Sequence, residues 1–383
     1  MIYEITPNMI CTPDGHTLDH LIEEHRIHKG FTPTLISHEV PMGMLEMSRC
    51  FNDYDYALVH LFDSNPEYFS FFVRSVEMGR RVILDNSLYE LGEAFDMKEY
   101  AFWINALKPT HYIIPDTFWD SKATIGQAME WMVNYGKSID PTIKRIGVAQ
   151  GATYADIKNS YRFLSAICDC IAFTFKFSPV MMDDPDLNLS EFLKNFHVRY
   201  PGIDISGEDL TMEDKQAACR YLVLKKLDDE GVIDYTKEHH LLGLQNTTLL
   251  YETCLFPWVT SIDTSNPVIH GFKGNIYYFN ETFMDCGGGN LTPYHVFIGN
   301  SGHPKPKEQL DAYFHMNPTH PAWPYCINNV LYNIRSFREI VNPPYLSAIF
   351  YADKIMSDDY IADNIKKYHE MHAITEKIAN NER

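Results

Sequence analysis

Three acids and two amide clusters stand where apolar runs of the sequence break off. Asp85 follows "VIL" and precedes Asn86 and Ser87, Asp116 ends "HYIIPD", and Gln150 and Gly151 end "RIGVAQG". Gly243, Leu244, Gln245 and Asn246 follow "HHLL", and Asp263 follows "VTSI" and precedes Thr264, Ser265 and Asn266. Taken singly, each is an ordinary cap or turn residue. Gathered on one rim with few basic partners, carboxylates in a partly apolar mouth have their pKa values driven apart. That suits one nucleophile and one proton-transfer group. A carboxylate nucleophile against a sugar carbon, a second acid–base group and amides that read a flat polar ligand serve glycoside hydrolysis. They equally serve the exchange of a base on a nucleoside.

The elements that must position these groups are short β-rich runs. They are residues 33–40, 56–62, 81–87, 111–116, 145–151, 170–177, 239–246 and 259–266. Each is close to continuously apolar, as expected of parallel strands covered on both faces. Helical segments such as "PEYFSFFVRSVEMG" and "TYADIKNSYRFLSAI" lie between them. Eight alternations of strand and helix predict an α/β fold, a (β/α)8 TIM barrel, whose chemistry sits at the C-terminal ends of the strands. An open doubly wound sheet is the alternative, but no GxGxxG follows the first strand. The long gap between the sixth and seventh strands predicts a helical insertion at about 181–238. The catalytic barrel is assigned to 1–300, and 301–383 to a C-terminal loop and helical extension.

The whole chain has 383 residues, is 45% hydrophobic and carries a formal net charge of −19. That charge opposes a broad electrostatic grip on a phosphate backbone, so cations that hold nucleic acid must be concentrated locally. No apolar run approaches the roughly 18 residues that span a bilayer. The N-terminal "MIYEITPNMICTPDGH" lacks a basic region before an apolar one, which predicts no signal peptide and no membrane partner. Eight cysteines in a chain this long make no dense disulfide framework, so reduced thiols and a cytoplasmic location are expected.

The order of these strand ends resembles the tRNA-guanine transglycosylase superfamily, and within it the phage and bacterial 7-deazaguanine DNA transglycosylases. The family's Asp-Ser-Gly-Gly-aromatic-Gln motif is met by Asp85-Asn86-Ser87-Leu88-Tyr89-Glu90, with the Asp and the aromatic in register. Its base-reading Asp after strand four is met by Asp116, and its Gly-x-x-Gln-Gly by Gly147-Val148-Ala149-Gln150-Gly151. Its Tyr-Leu-Met-Gly is met loosely by His240-Leu241-Leu242-Gly243, and its Phe-Asp-x-x-x-Pro by Ile262-Asp263-Thr264-Ser265-Asn266-Pro267. The likeness runs over roughly residues 33–280.

The resemblance implies a pentosyltransferase that replaces guanine in DNA with a 7-deazaguanine such as 7-cyano-7-deazaguanine, hiding a phage genome from restriction. The host cytoplasm would then be its location. A tRNA-directed transglycosylase is the alternative, and a two-carboxylate glycoside hydrolase a further one. Asp263 is the implied nucleophile and Asp85 the acid–base group. Asp116 would read the guanine edge, Gln150 the ring carbonyl, and Gly151 would let the backbone approach. Tyr89 and Leu242 would sandwich the heterocycle, with Asn86, Ser87 and Gly243 completing the binding set. His270, Lys273, Lys305 and Lys307, with Arg335 and Arg338, are the expected backbone contacts.

Two departures stand out. The Cys-x-Cys-x-x-Cys cluster of the tRNA branch is missing, and only Cys286 and Cys326 follow the eighth strand. No cofactor and no structural zinc are therefore expected, and Cys168-Asp169-Cys170 is assigned to core packing. On strand six, "AFTFKF" replaces a Gly-Gly-Leu-type motif, so Phe175 and Lys176 reshape that side of the pocket. Relatives often dimerise, which admits a homodimer here.

Overall fold

A computed structural model describes residues 10–11, 33–195, 197–200, 203–206, 212–243, 256, 258–272 and 323–342. Its centre is an eight-stranded, all-parallel ring. The barrel strands are β1 (Leu35–His38), β2 (Asp55–Leu58), β3 (Val82–Asp85) and β4 (His111–Ile113). They continue as β5 (Lys144–Val148), β6 (Cys170–Thr174), β7 (Glu238–Leu242) and β8 (Ser261–Thr264). Neighbours pair in chain order from β2 to β8, and β8 pairs with β1. The expected (β/α)8 barrel is the observed fold, with all eight strands where the apolar runs lie.

Period-two geometry divides each strand between two cores. Val82 and Leu84 join the outer core under the helices, while Ile83 points into the ring with Tyr54, Tyr56, Ile113, Ile146 and Val148. Both faces are buried, which is why the strands lack apolar–polar alternation. Local chemistry places the helices. Asn65 accepts the Tyr68 N–H at the start of helix Pro66–Glu77, which buries Tyr68, Phe71 and Phe72. Thr153 and Asp156 form a reciprocal capping box on helix Tyr154–Ile167.

The ring is nearly closed, and side chains bridge the seam between β1 and β2. Ile36 N–H donates to Asp53 Oδ2 at 2.9 Å, and His38 N–H donates to Asn52 Oδ1 at 2.8 Å. Asn52 Nδ2 donates back to the His38 carbonyl at 2.9 Å. Helix Trp323–Val341 covers this seam. Arg338 Nη2 reaches both Asp53 oxygens at 2.8 and 3.0 Å, and Nη1 reaches the Phe51 carbonyl. The helix also packs on helix Asn266–Phe272. A Cβ on Gly271 would lie 2.6 Å from Val330 backbone atoms, so only glycine admits this approach. The division expected at residue 300 lies outside the described residues; helix Trp323–Val341, within the expected C-terminal extension, packs against the barrel.

Between β6 and β7 lie helices Pro179–Met182, Leu189–Asn195 and Met212–Asp229. The expected helical insertion also contains an antiparallel hairpin, His197–Tyr200 with Ile203–Ser206, joined by Ile10–Cys11. "HVRY" and "IDIS" around Pro201-Gly202 carry strand alternation and a turn signal that outweigh the helical surroundings. Among the described residues no helix is long and apolar enough to cross a membrane.

Candidate active site

The alternation that sends Ile83 into the ring makes Asp85 the next inward residue, at the C-terminal mouth. The same rule aims Ser261 and Asp263 inward on β8, and His240 and Leu242 on β7, with Leu241 and Ile262 in the outer core. Asp85, Asp116 and Asp263 line one cavity of about 400 Å³, together with Asn86, Tyr89, Gln150, Leu242 and Gly243. Its apolar wall includes Tyr56, Leu58, Ile113, Phe118, Val148 and Phe175.

Asp85 accepts the phenol proton of Tyr56 and the Ser87 N–H. Burial, then the Glu90 carboxylate, raises its pKa to about 8, against the pull of those two donors. It is therefore a protonated acid at neutral pH. Asp116 is built differently. Asn86 Nδ2 donates to its Oδ1 at 2.8 Å and Gln150 Nε2 to its Oδ2 at 2.9 Å. Burial raises it to about 6, with both amides opposing the shift, so it is mainly a carboxylate at pH 7.

Asp263 Oδ1 accepts from the Gly243 N–H at 3.1 Å and pairs with His240 Nε2 at 2.9 Å. His240 Nδ1 lies 2.8 Å from Ser261 Oγ. A carboxylate at Asp263 only accepts, which assigns the imidazole proton to Nε2 and makes Ser261 donate to Nδ1. His240 also stacks on Tyr56, with centroids 6.1 Å apart and planes at 19°. The two side chains that hold the two acids thus stack on each other.

A further carboxyl completes the mouth. Glu39 follows β1, lines the cavity and is hydrogen-bonded to Asp263. Burial, then the charge of Asp263, pushes its pKa well above the carboxylate range. Glu39 escapes the strand-end rule because the apolar run reads on to Val40, whereas β1 ends at His38. Its acid terminates an apolar run just as Asp85 does. His240 and Tyr56 lie inside buried strands, where no pattern marks an inward polar group.

Several expected roles change. Asn86 donates both Nδ2 protons, to Asp116 and to the Ile114 carbonyl, and its Oδ1 accepts the Leu88 N–H. It holds Asp116 rather than a ligand. Gln150 is committed to Asp116 and, through Oε1, to the Trp119 N–H, which leaves one amide proton for a ligand. Ser87 is fully buried, bonded to His60 and outside the cavity lining, so the expected ligand contact fails. Gly151 does not line the cavity either. A Cβ there would lie 2.5 Å from Ile157 N, so its bareness serves the start of helix Tyr154–Ile167. Tyr89 is 53% exposed, meets Phe175 edge-on at 5.3 Å and lines the cavity together with Leu242.

The expected cations fare unevenly. His270 is half-buried in helix Asn266–Phe272 and does not line the cavity. Arg335 and Arg338 lie on helix Trp323–Val341, and Arg338 is spent on Asp53 beside the N-terminal end of β2, opposite the mouth. Lys273, Lys305 and Lys307 lie outside the described residues, as does Cys286. Cys168 and Cys170 are buried, and burial pushes the Cys168 thiol up to about 12. Among the described residues no cluster of three His, Cys, Asp or Glu is arranged to hold a metal.

No protein-family model matches the chain, and no curated protein matches it.

Proposed function

We propose that this chain is a base-exchange transglycosylase that removes guanine from DNA and installs a 7-deazaguanine in its place. The observation that carries the reading is the sharing of one cavity by Asp85, Asp116 and Asp263 in three different states of hydrogen bonding. The order of motifs along the chain supports the same reading.

An Asp263 oxygen attacks C1′ of the target nucleotide as the bond from C1′ to the base breaks. The bond's electron pair leaves with guanine, which takes its proton from Asp85. In the return step Asp85 accepts the ring N–H proton of the incoming base, whose nitrogen displaces Asp263 from C1′. Two displacements retain the configuration of the sugar, as in retaining glycosidases. Asp116 offers its remaining lone pairs to the N1–H and 2-amino donors of guanine. The target base must be extruded or met in a single strand, because the cavity lies at the barrel mouth. DNA is favoured over tRNA because the Cys-x-Cys-x-x-Cys run of the tRNA branch is missing from the sequence.

The test incubates the purified protein with guanine-containing DNA, or with tRNA, and 7-cyano-7-deazaguanine, followed by nucleoside mass spectrometry. Deazaguanine appearing in DNA, with an ester trapped on Asp263, is the expected result. An Asp263→Ala variant that still exchanges the base refutes the assignment, and release of guanine without insertion, leaving an abasic site, points to hydrolysis instead.

A further inference from the structure

The mouth of this cavity is lined by the carboxyls of Glu39, Asp85, Glu90, Asp116 and Asp263. A polynucleotide approaching it meets repulsion unless a cation stands at the rim. One described cation does. Lys176 Nζ lies 5.5 Å from the Tyr89 ring centroid, 5.4 Å from Phe118 and 5.9 Å from Trp119. All three distances fall within reach of cation–π attraction, which holds an ammonium without neutralising it. Among the described residues no carboxylate pairs with Lys176, although acids line the adjoining cavity.

The lysine is anchored at its backbone. Its carbonyl accepts from Trp119 Nε1 at 3.0 Å, and its N–H donates to Thr174 Oγ1 at 3.1 Å. Trp119 adopts a left-handed backbone with φ 60°, uncommon for a bulky residue, and gives its own N–H to Gln150. Gln150 in turn holds Asp116. The rim cation is thereby tied through Trp119 and Gln150 to Asp116, the group that reads the base. Tyr89 and Phe118 line the cavity whereas Lys176 does not, so the ammonium stands outside the base pocket, beside its entrance.

We propose that Lys176 is the docking point for a phosphate of the DNA strand next to the target nucleotide, presented on a platform of Tyr89, Phe118 and Trp119. This rests on the base-exchange reading and adds how the polymer is held. An aromatic platform with one cation is the pairing that grips single strands, rings for base faces and charge for the backbone.

The experiment titrates a single-stranded, guanine-containing oligonucleotide against wild type, Lys176→Met and Lys176→Arg by fluorescence anisotropy. A second oligonucleotide carries neutral methylphosphonates on both sides of the guanine, and 7-cyano-7-deazaguanine is titrated separately. The wild type should bind the phosphodiester about tenfold tighter than the methylphosphonate. Lys176→Met should erase that difference, Lys176→Arg should keep most of it, and both should bind the free base like wild type. The salt dependence of Lys176→Met should flatten by about 0.7 in log–log slope, the share of one phosphate on a single strand. A Lys176→Met protein that binds the phosphodiester like wild type overturns the proposal. So does one that loses the free base instead, since Lys176 would then face the base. A wild type that binds neither strand nor base removes the base-exchange reading itself, an outcome distinct from either.

Discussion

The opposed influences on Asp85 allow its protonation to be moved in either direction by single substitutions. Its pKa of about 8 is raised by burial and by Glu90, and lowered by donation from Tyr56. Release of guanine needs Asp85 protonated, so the step is flat below pH 8 and falls tenfold per unit above it. Tyr56→Phe keeps the ring that stacks on His240 and removes the donor to the carboxylate. A hydrogen bond to a charged group contributes about 1.5–3 kcal/mol. At 1.36 kcal/mol per pKa unit this moves the alkaline limb up by roughly one to two units. Glu90→Gln removes the charge and moves the limb down by roughly half a unit, a small step because Glu90 is solvent-exposed and screened. Single-turnover guanine release, followed from pH 5 to 10 in the three proteins, measures all three limbs. Coincident limbs, or a Tyr56→Phe limb displaced downward, would refute Asp85 as the proton donor.

Two further outcomes follow from the same geometry. Asp116, with a pKa of about 6, loses its charge as pH falls through that value, so guanine affinity should drop below pH 6. Calorimetric titration checks this, and Asp116→Asn should bind weakly with no such dependence. Gly151→Ala drives a methyl into Asp156 and the Ile157 nitrogen, whereas Gly126 in helix Ser121–Asn134 has open space around it. Urea denaturation should show the first variant destabilised by about 1–3 kcal/mol. Gly126→Ala should be stabilised by roughly 0.5–1 kcal/mol through helix propensity. Equal stabilities would refute the packing role given to Gly151.

The ring was legible in the sequence because parallel strands buried on both faces read as unbroken apolar runs, and those runs end where the chain turns at the mouth. Asp85, Asp116 and Asp263 were found by that rule alone. The same rule hid Glu39, since extending one run by two residues buried a terminal acid inside a strand. Tyr56 and His240 were hidden differently, because inward and outward positions are indistinguishable when both are covered. Ser87 and Gly151 show the opposite failure. Both fall inside motif-like stretches, yet one is consumed by His60 and the other by a helix start. Which neighbour claims a polar atom depends on residues far away in the chain, and local pattern carries no trace of it.

The way the ring is fastened has a consequence for how it is made. Asn342 exchanges two hydrogen bonds with Thr34 across 308 positions of sequence, and Arg338 clasps Asp53 across 285. Folding rates fall as contacts become less local. Strands translated early must therefore wait for a helix translated late before the cylinder locks. Mutations at this clasp should reveal themselves first as slow maturation of newly synthesised protein, well before any loss of chemistry at the far end of the barrel.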